Sequence, residues 1–181
     1  MKFSETPLAG AYAIELSPFY DDRGWFARTF SKDEFKNIGF GGEWVQMNHS
    51  FTAKAGTIRG MHYQLPPYRE IKMVRCIRGE VFDVIIDVRK RSPTFLRWFG
   101  LKLSSSDLNM IYIPEGFAHG FQALTDGCEL IYLHSEFYRP GYEAGIKYDD
   151  ALVSIKWPSG VTMISDRDNK HLALTESFKG I

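Results

Sequence analysis

One short run of the chain, Gly56-Thr-Ile-Arg-Gly-Met-His-Tyr-Gln64, carries a guanidinium, an imidazole and a carboxamide on what its apolar residues mark as a β-strand. An imidazole exchanges protons near neutral pH, a guanidinium grips anionic oxygens in a fork, and an amide reads polar edges. A strand holds such side chains either because it is a solvated edge or because it lines a polar pocket. In a regular strand Ile58, Gly60, His62 and Gln64 face one way, and Arg59, Met61 and Tyr63 the other. A bulge or bend at Gly60 would bring Arg59 and His62 to the same site.

A second segment, Pro114-Glu-Gly-Phe-Ala-His-Gly120, sets His119 at the start of another apolar strand. Together the two segments resemble the paired motifs of the cupin jelly roll. Gly56, His62, Gln64, Glu70 and Gly79 echo the first motif, and Pro114, Gly116, His119 and Ala123 echo the second. A metal-binding cupin needs three or four converging nitrogen and oxygen ligands. Here Gln64 stands in place of the second histidine, Glu70 arrives late, and Ala123 replaces the terminal Asn. Two histidines alone make a poor metal site, so no metal is expected.

The elements that must position these groups read mainly as strands. Glu80 to Val88 alternates, with Phe82, Val84, Ile86 and Val88 on one face and Val81, Asp83, Ile85 and Asp87 on the other. Further short strands fall near 96–103, 110–113, 119–124 and 129–138, between Gly, Pro, Ser and Asp punctuation. Such close spacing favours an antiparallel sandwich or barrel over alternating β-α units. The clear helix signal is Ser31-Lys-Asp-Glu34, a capping box followed by Phe35 and Ile38 and stopped by Gly39. The expectation is one domain over residues 1–181: an N-terminal strand and helix extension (1–50), a barrel core (51–140) and a covering C-terminal segment (141–181).

A formal net charge of zero argues against a global field for nucleic acid. The opening MKFSETPLAGAY has no apolar signal core, and no apolar run approaches the roughly 20 residues that span a membrane. Cys76 and Cys128 make no disulfide framework. These features point to a cytoplasmic protein with neither nucleic-acid nor membrane partners.

A closer resemblance covers nearly the whole chain. Asp22-Arg-Gly-Trp-Phe26, Gln46-Met-Asn48, Gly56 to Gln64, Lys72-Met-Val74, Phe82-Asp-Val84, Ile113 to Phe121, Tyr132, Tyr138, Glu143, Trp157-Pro158 and Ser165-Asp-Arg-Asp168 occur in order. This pattern resembles the dTDP-4-dehydrorhamnose 3,5-epimerase family. The resemblance implies a cupin-type antiparallel jelly roll with a few short flanking helices. It also implies a cofactor-free and metal-free epimerase acting on a nucleotide-linked 4-keto-6-deoxy sugar, in deoxysugar supply for polysaccharide.

Epimerisation beside a ketone needs a base, an enolate stabiliser and an acid across the ring. By the resemblance His62 is the base, Asp168 orients it, Lys72 is the cation beside the oxyanion, and Tyr132 is the acid. Substrate binding falls to Arg23, Phe26, Gln46, Asn48, Arg59, His119, Tyr138, Glu143 and Arg167. Asp83 takes a supporting role, pairing with Lys72 or His119. A homodimer exchanging an N-terminal strand is also implied, with Arg23 and Phe26 serving the neighbouring chain's site.

Three positions depart from the family pattern. Arg28 stands where dTDP-specific members usually have Glu, Arg167 replaces Lys, and Leu133-His134-Ser135 differs from Lys-Thr-Thr. Arg28 and His134 are therefore candidates for specificity. A donor-only guanidinium suits the bare N3 of cytosine, which keeps a CDP-sugar epimerase as an alternative to the dTDP reading. A metal-dependent cupin oxygenase and a non-catalytic sugar-nucleotide-binding cupin are more distant alternatives.

Overall fold

The computed structural model describes residues 1–181. In chain order its strands are β1 (Lys2–Glu5), β2 (Tyr12–Glu15), β3 (Phe19–Asp21), β4 (Gly24–Phe26), β5 (Gln46–Thr52), β6 (Thr57–Gln64), β7 (Lys72–Arg78), β8 (Glu80–Asp87), β9 (Trp98–Ser104), β10 (Asn109–Ile113), β11 (Phe117–Ala123), β12 (Cys128–His134), β13 (Glu143–Gly145) and β14 (Met163–Ile164). The two short helices are α1 (Lys32–Lys36) and α2 (Asp166–Asn169). No helix is long and apolar enough to cross a membrane.

Two sheets form a jelly roll. The first runs β1-β2-β10-β7-β12-β5 and the second β13-β6-β11-β8-β9, with β14 parallel to β6. All other pairings within the sheets are antiparallel. Val81 and Ile85 of β8 meet Val74, Phe117, Phe121 and Leu130 between the sheets, a core drawn from both inner faces. The opposite face of β8 is buried too. Val84, Ile86 and Val88 pack with Met61, Tyr63, Ile146, Val153 and Ile155, so the C-terminal segment seals the outside of the second sheet. Double burial explains why β8 reads as nearly continuous apolar sequence between Glu80 and Asp87, broken only by Asp83.

The N-terminal helix covers the other flank. Phe35 and Phe40 are fully buried against Ile14, Met73, Met110 and Tyr112, and the Phe40 and Trp44 rings stack 4.4 Å apart. The capping box is not formed: Ser31 is the N-cap, but its side chain makes no capping bond. Glu34 turns instead to the Met1 ammonium at 2.8 Å and Arg28 at 3.3 Å, where it meets full positive charges. Gly39, at φ +85°, follows the helix end as expected.

Two expectations on organisation differ from the structure. β5 crosses residue 50 and belongs to the first sheet, and β1 and β2 extend that sheet through β10. The strand expected over 129–138 ends at His134, leaving Phe137 and Tyr138 in the loop that follows. Cys76 and Cys128 are both buried free thiols, and burial pushes Cys76 up to about 11.

Candidate active site

Between the mouths of the two sheets lies a cleft of about 640 Å³, in the range of small-molecule sites. β6 supplies one wall, and a bulge resolves the parity problem of its sequence. His62 is opposite His119 and Arg59 is opposite Phe121, so two residues of β6, Gly60 and Met61, face the single Gly120 of β11. Arg59 and His62 consequently share the inward face. Gly60 permits this with φ +119° and close backbone contact: a Cβ there would stand 2.6 Å from Gly120 Cα.

The covering segment delivers the partner of His62. Ser165 caps α2 by accepting from the Asp168 N–H at 3.1 Å, which fixes Asp168 beside β6. Its Oδ1 lies 2.7 Å from His62 Nε2, and its Oδ2 accepts from the Gly60 N–H at 3.0 Å. Burial opposes ionisation of Asp168. The bonds from His62 and Gly60, with the charges of His62 and Arg167, outweigh it and hold the carboxyl well below its usual range. Whenever the imidazole is neutral, an ionised Asp168 accepts the Nε2 proton and Nδ1 of His62 keeps its lone pair. Arg167 Nη2 also lies 3.2 Å from Nε2, but that position is filled, and the guanidinium bonds Asp168 at 3.4 Å and Glu143 at 3.3 Å.

The facing wall belongs to β12, β7 and β5. Tyr132 reaches Ser50 Oγ at 2.9 Å and lies near His119, ring centres 6.3 Å apart. Burial drives its phenol well above the ordinary value, only partly offset by Ser50, so it stays protonated near neutral pH. Lys72 is buried and its Nζ lies 3.0 Å from Glu70 Oε1. Beneath the pocket Asp83 accepts from His119 Nε2 at 2.8 Å. Of the two partners considered for Asp83, His119 is the one bonded, and Lys72 pairs with Glu70 instead. Complete burial raises the Asp83 pKa, an effect that the charges of His119 and Lys72 only moderate.

Gln46, Asn48, Tyr138 and Glu143 stand round the same mouth, with Tyr138 donating to Glu143 at 2.8 Å. Arg59 is braced on Thr52 Oγ1 and the Phe51 carbonyl, each at 3.0 Å. Arg23 and Phe26, expected to serve a neighbouring chain's site, lie outside this pocket, as does Arg28. Arg23 folds onto Asp21 at 2.5 Å, Phe26 is 72% exposed on the β3–β4 hairpin, and Arg28 bonds Glu34. Arg28 thus has a carboxylate partner outside its own chain's cleft.

The cupin ligand positions have other occupations. Gln64 donates to the Tyr68 and Phe137 carbonyls and accepts from the Arg139 N–H, tying loops together, while Ala123 lies in the core. A different triple comes together: ligand atoms of His62, Asp168 and His171 lie within 4.8 Å of one another. The fixed positive charge of Arg167 lies against the first two. Sequence reading missed His171, Ser50 and the part played by Glu70. Period two along the chain was the available signal, since Ser50 continues the row Gln46, Asn48, and Glu70 stands two residues before Lys72.

Residues 5–176 match the family model described as dTDP-4-dehydrorhamnose 3,5-epimerase. A Shigella flexneri protein of that name is 43% identical over 169 residues, covering 93% of each chain. The crystal structure of the Bacillus anthracis dTDP-4-dehydrorhamnose 3,5-epimerase, with TDP and PPi bound, superposes with a TM-score of 0.92 at 36% identity, covering 96% of this chain and 99% of that one. The Legionella pneumophila dTDP-6-deoxy-D-glucose-3,5-epimerase, in complex with dTDP-4-keto-L-rhamnose, has a TM-score of 0.87 at 35% identity over 92% of this chain and 89% of its own. Two sheets, an Asp-held histidine and a facing tyrosine thus accompany likeness over nearly the full length, and the chain belongs to the dTDP-4-dehydrorhamnose 3,5-epimerase family.

Proposed function

We propose that this chain inverts C3 and C5 of dTDP-4-dehydro-6-deoxy-D-glucose to give dTDP-4-dehydro-L-rhamnose, without a metal or organic cofactor. The observation that carries the reading is the placing of His62, held by Asp168 of α2, on one sheet and Tyr132 on the other, across one cleft. His62 Nδ1 removes the carbon-bound proton, and the C–H electrons move into the C4 carbonyl to form an enolate. Lys72 stabilises its oxygen, and His119 contributes to substrate binding. Tyr132 then protonates the carbon from the opposite face as the carbonyl re-forms, and solvent returns its proton. Arg59 and Arg167 suit the diphosphate, and Gln46, Asn48, Tyr138 and Glu143 hold the remaining polar edges.

We also propose a homodimer. The β3–β4 hairpin projects Phe19, Tyr20, Trp25 and Phe26 into solvent, each at least half exposed, and the first sheet exposes Met47 and Phe51. Aromatic surface on that scale suits a second copy, whose cleft would receive Arg23 and Phe26.

Incubating the protein in D₂O with dTDP-4-dehydro-6-deoxy-D-glucose tests the chemistry. NMR should find deuterium at both C3 and C5 with inversion at each, and dialysis against a strong chelator should leave the rate unchanged. Substrate recovered with its carbon-bound protons intact would refute the proposal. Activity lost to the chelator and restored by one divalent metal would refute its metal-free part.

A further inference from the structure

Behind Lys72 runs a line of hydrogen bonds whose direction is fixed at one end. Glu70 offers only acceptors: Oε1 takes Lys72 Nζ at 3.0 Å and Oε2 faces His134 Nδ1 at 2.6 Å. Burial opposes this carboxylate's charge, yet Lys72 and His134 hold its pKa below the usual value, so it is ionised. His134 must therefore carry a proton on Nδ1, and as a neutral imidazole it accepts at Nε2 from Asn48 Nδ2 at 3.2 Å. Asn48 Oδ1 then accepts from Gln46 Nε2 at 3.3 Å, and Gln46 Oε1 accepts from the Tyr138 N–H at 3.1 Å. Sheet register makes the line continuous, because His134 is paired with both Lys72 and Gln46.

We propose that Glu70 and His134 are a positioning pair: one carboxylate anchors Lys72 and, through the His134 tautomer, sets Asn48 and Gln46 to present their free N–H groups to the nucleotide sugar. This rests on Lys72 being the oxyanion cation and on the amides meeting substrate. Both oxygens of Asn48 and Gln46 are already engaged, so the pocket wall here is a row of donors suited to carbonyl or phosphoryl oxygens. His134 acts through its neighbours, and the side chains of Glu70 and His134 are only 10% and 11% exposed, with little surface to offer substrate.

Glu70→Gln tests the polarity because it keeps the shape and turns one acceptor into a donor. The Lys72 ammonium takes the remaining oxygen, so the new N–H faces His134. His134 must then move its proton to Nε2, Asn48 must turn over, and Gln46 must follow. The expected result is a change of His134 from the Nδ1–H to the Nε2–H tautomer by ¹⁵N NMR, with KM raised about tenfold. His134→Phe should raise KM similarly, and the double variant should be no worse than the weaker-binding single. Glu70→Ala, which leaves Lys72 unanchored, should lower kcat about tenfold.

A Glu70→Gln protein with the Nδ1–H tautomer and wild-type KM would overturn the proposal, as would additive penalties in the double variant. Should His134→Phe fail to fold, the tautomer measurement on Glu70→Gln decides alone. Wild-type kcat in Lys72→Met would instead remove the oxyanion role of Lys72, while the histidine signal still reports on the Glu70–His134 pair.

Discussion

His62 and Tyr132 stand on opposing sheets, so deleting each should leave a different isotopic signature. His62→Ala should slow deuterium entry at C3 and C5 by at least about 10²-fold, the usual span for a positioned base. Tyr132→Phe should keep exchange and lose inversion, because the proton returns from the side it left. Rapid exchange in His62→Ala would unseat the base. Asp168 adds a pH signature. Its carboxyl is depressed in the folded state, so its stabilising contribution is complete above the unfolded value of about 4 and is lost as pH falls. Thermal melts should therefore show wild type losing stability on acidification more steeply than Asp168→Asn. Sequence pattern placed His62, Lys72, Tyr132 and Asp168 because the family motif holds them at fixed intervals. It did not reveal that Lys72 answers to Glu70, or that His171 joins His62, because such pairings are set by register and by a one-turn helix.

At the scale of elements the decisive one is the bulge in β6. Gly60→Ala puts a Cβ 2.6 Å from Gly120 Cα and 2.7 Å from the His119 carbonyl oxygen, at a φ that L-residues avoid. We expect a loss of about 2–4 kcal/mol, and of activity beyond that loss, since Arg59 and His62 would part. A chemical-denaturation midpoint unchanged by Gly60→Ala would contradict this. The bulge was legible because a glycine stood between two polar residues of opposite parity. The capping box over Ser31–Glu34 was legible too, and wrong in detail: no local rule foresees that the Met1 ammonium arrives beside Glu34 from 33 residues away. Burial of both faces of β8 was equally hidden, because a strand's own pattern cannot say that residues 146–155 return to cover it.

For the whole molecule, the exposed hairpin makes a prediction about shared sites. If Arg23 serves the neighbouring cleft, His62→Ala and Arg23→Ala chains, each poor alone, should complement on mixing after dissociation. Random pairing gives heterodimers with one intact site, restoring about a quarter of wild-type activity. Sedimentation should show a dimer throughout, and no recovery on mixing would place Arg23 outside the site. The jelly roll itself was legible from strand spacing and the family pattern, whereas the bonding of Arg28 to Glu34 needed three dimensions. The capped turn that carries Asp168 has a further consequence, one of timing. His62 and Asp168 are 106 residues apart, while β6, β8 and β11 pair within residues 57–123. During refolding the barrel can close on nearby partners first, and the last segment to dock brings the carboxylate. Strand signal should then return before turnover does, making the enzyme's own activity the reporter of its final folding step.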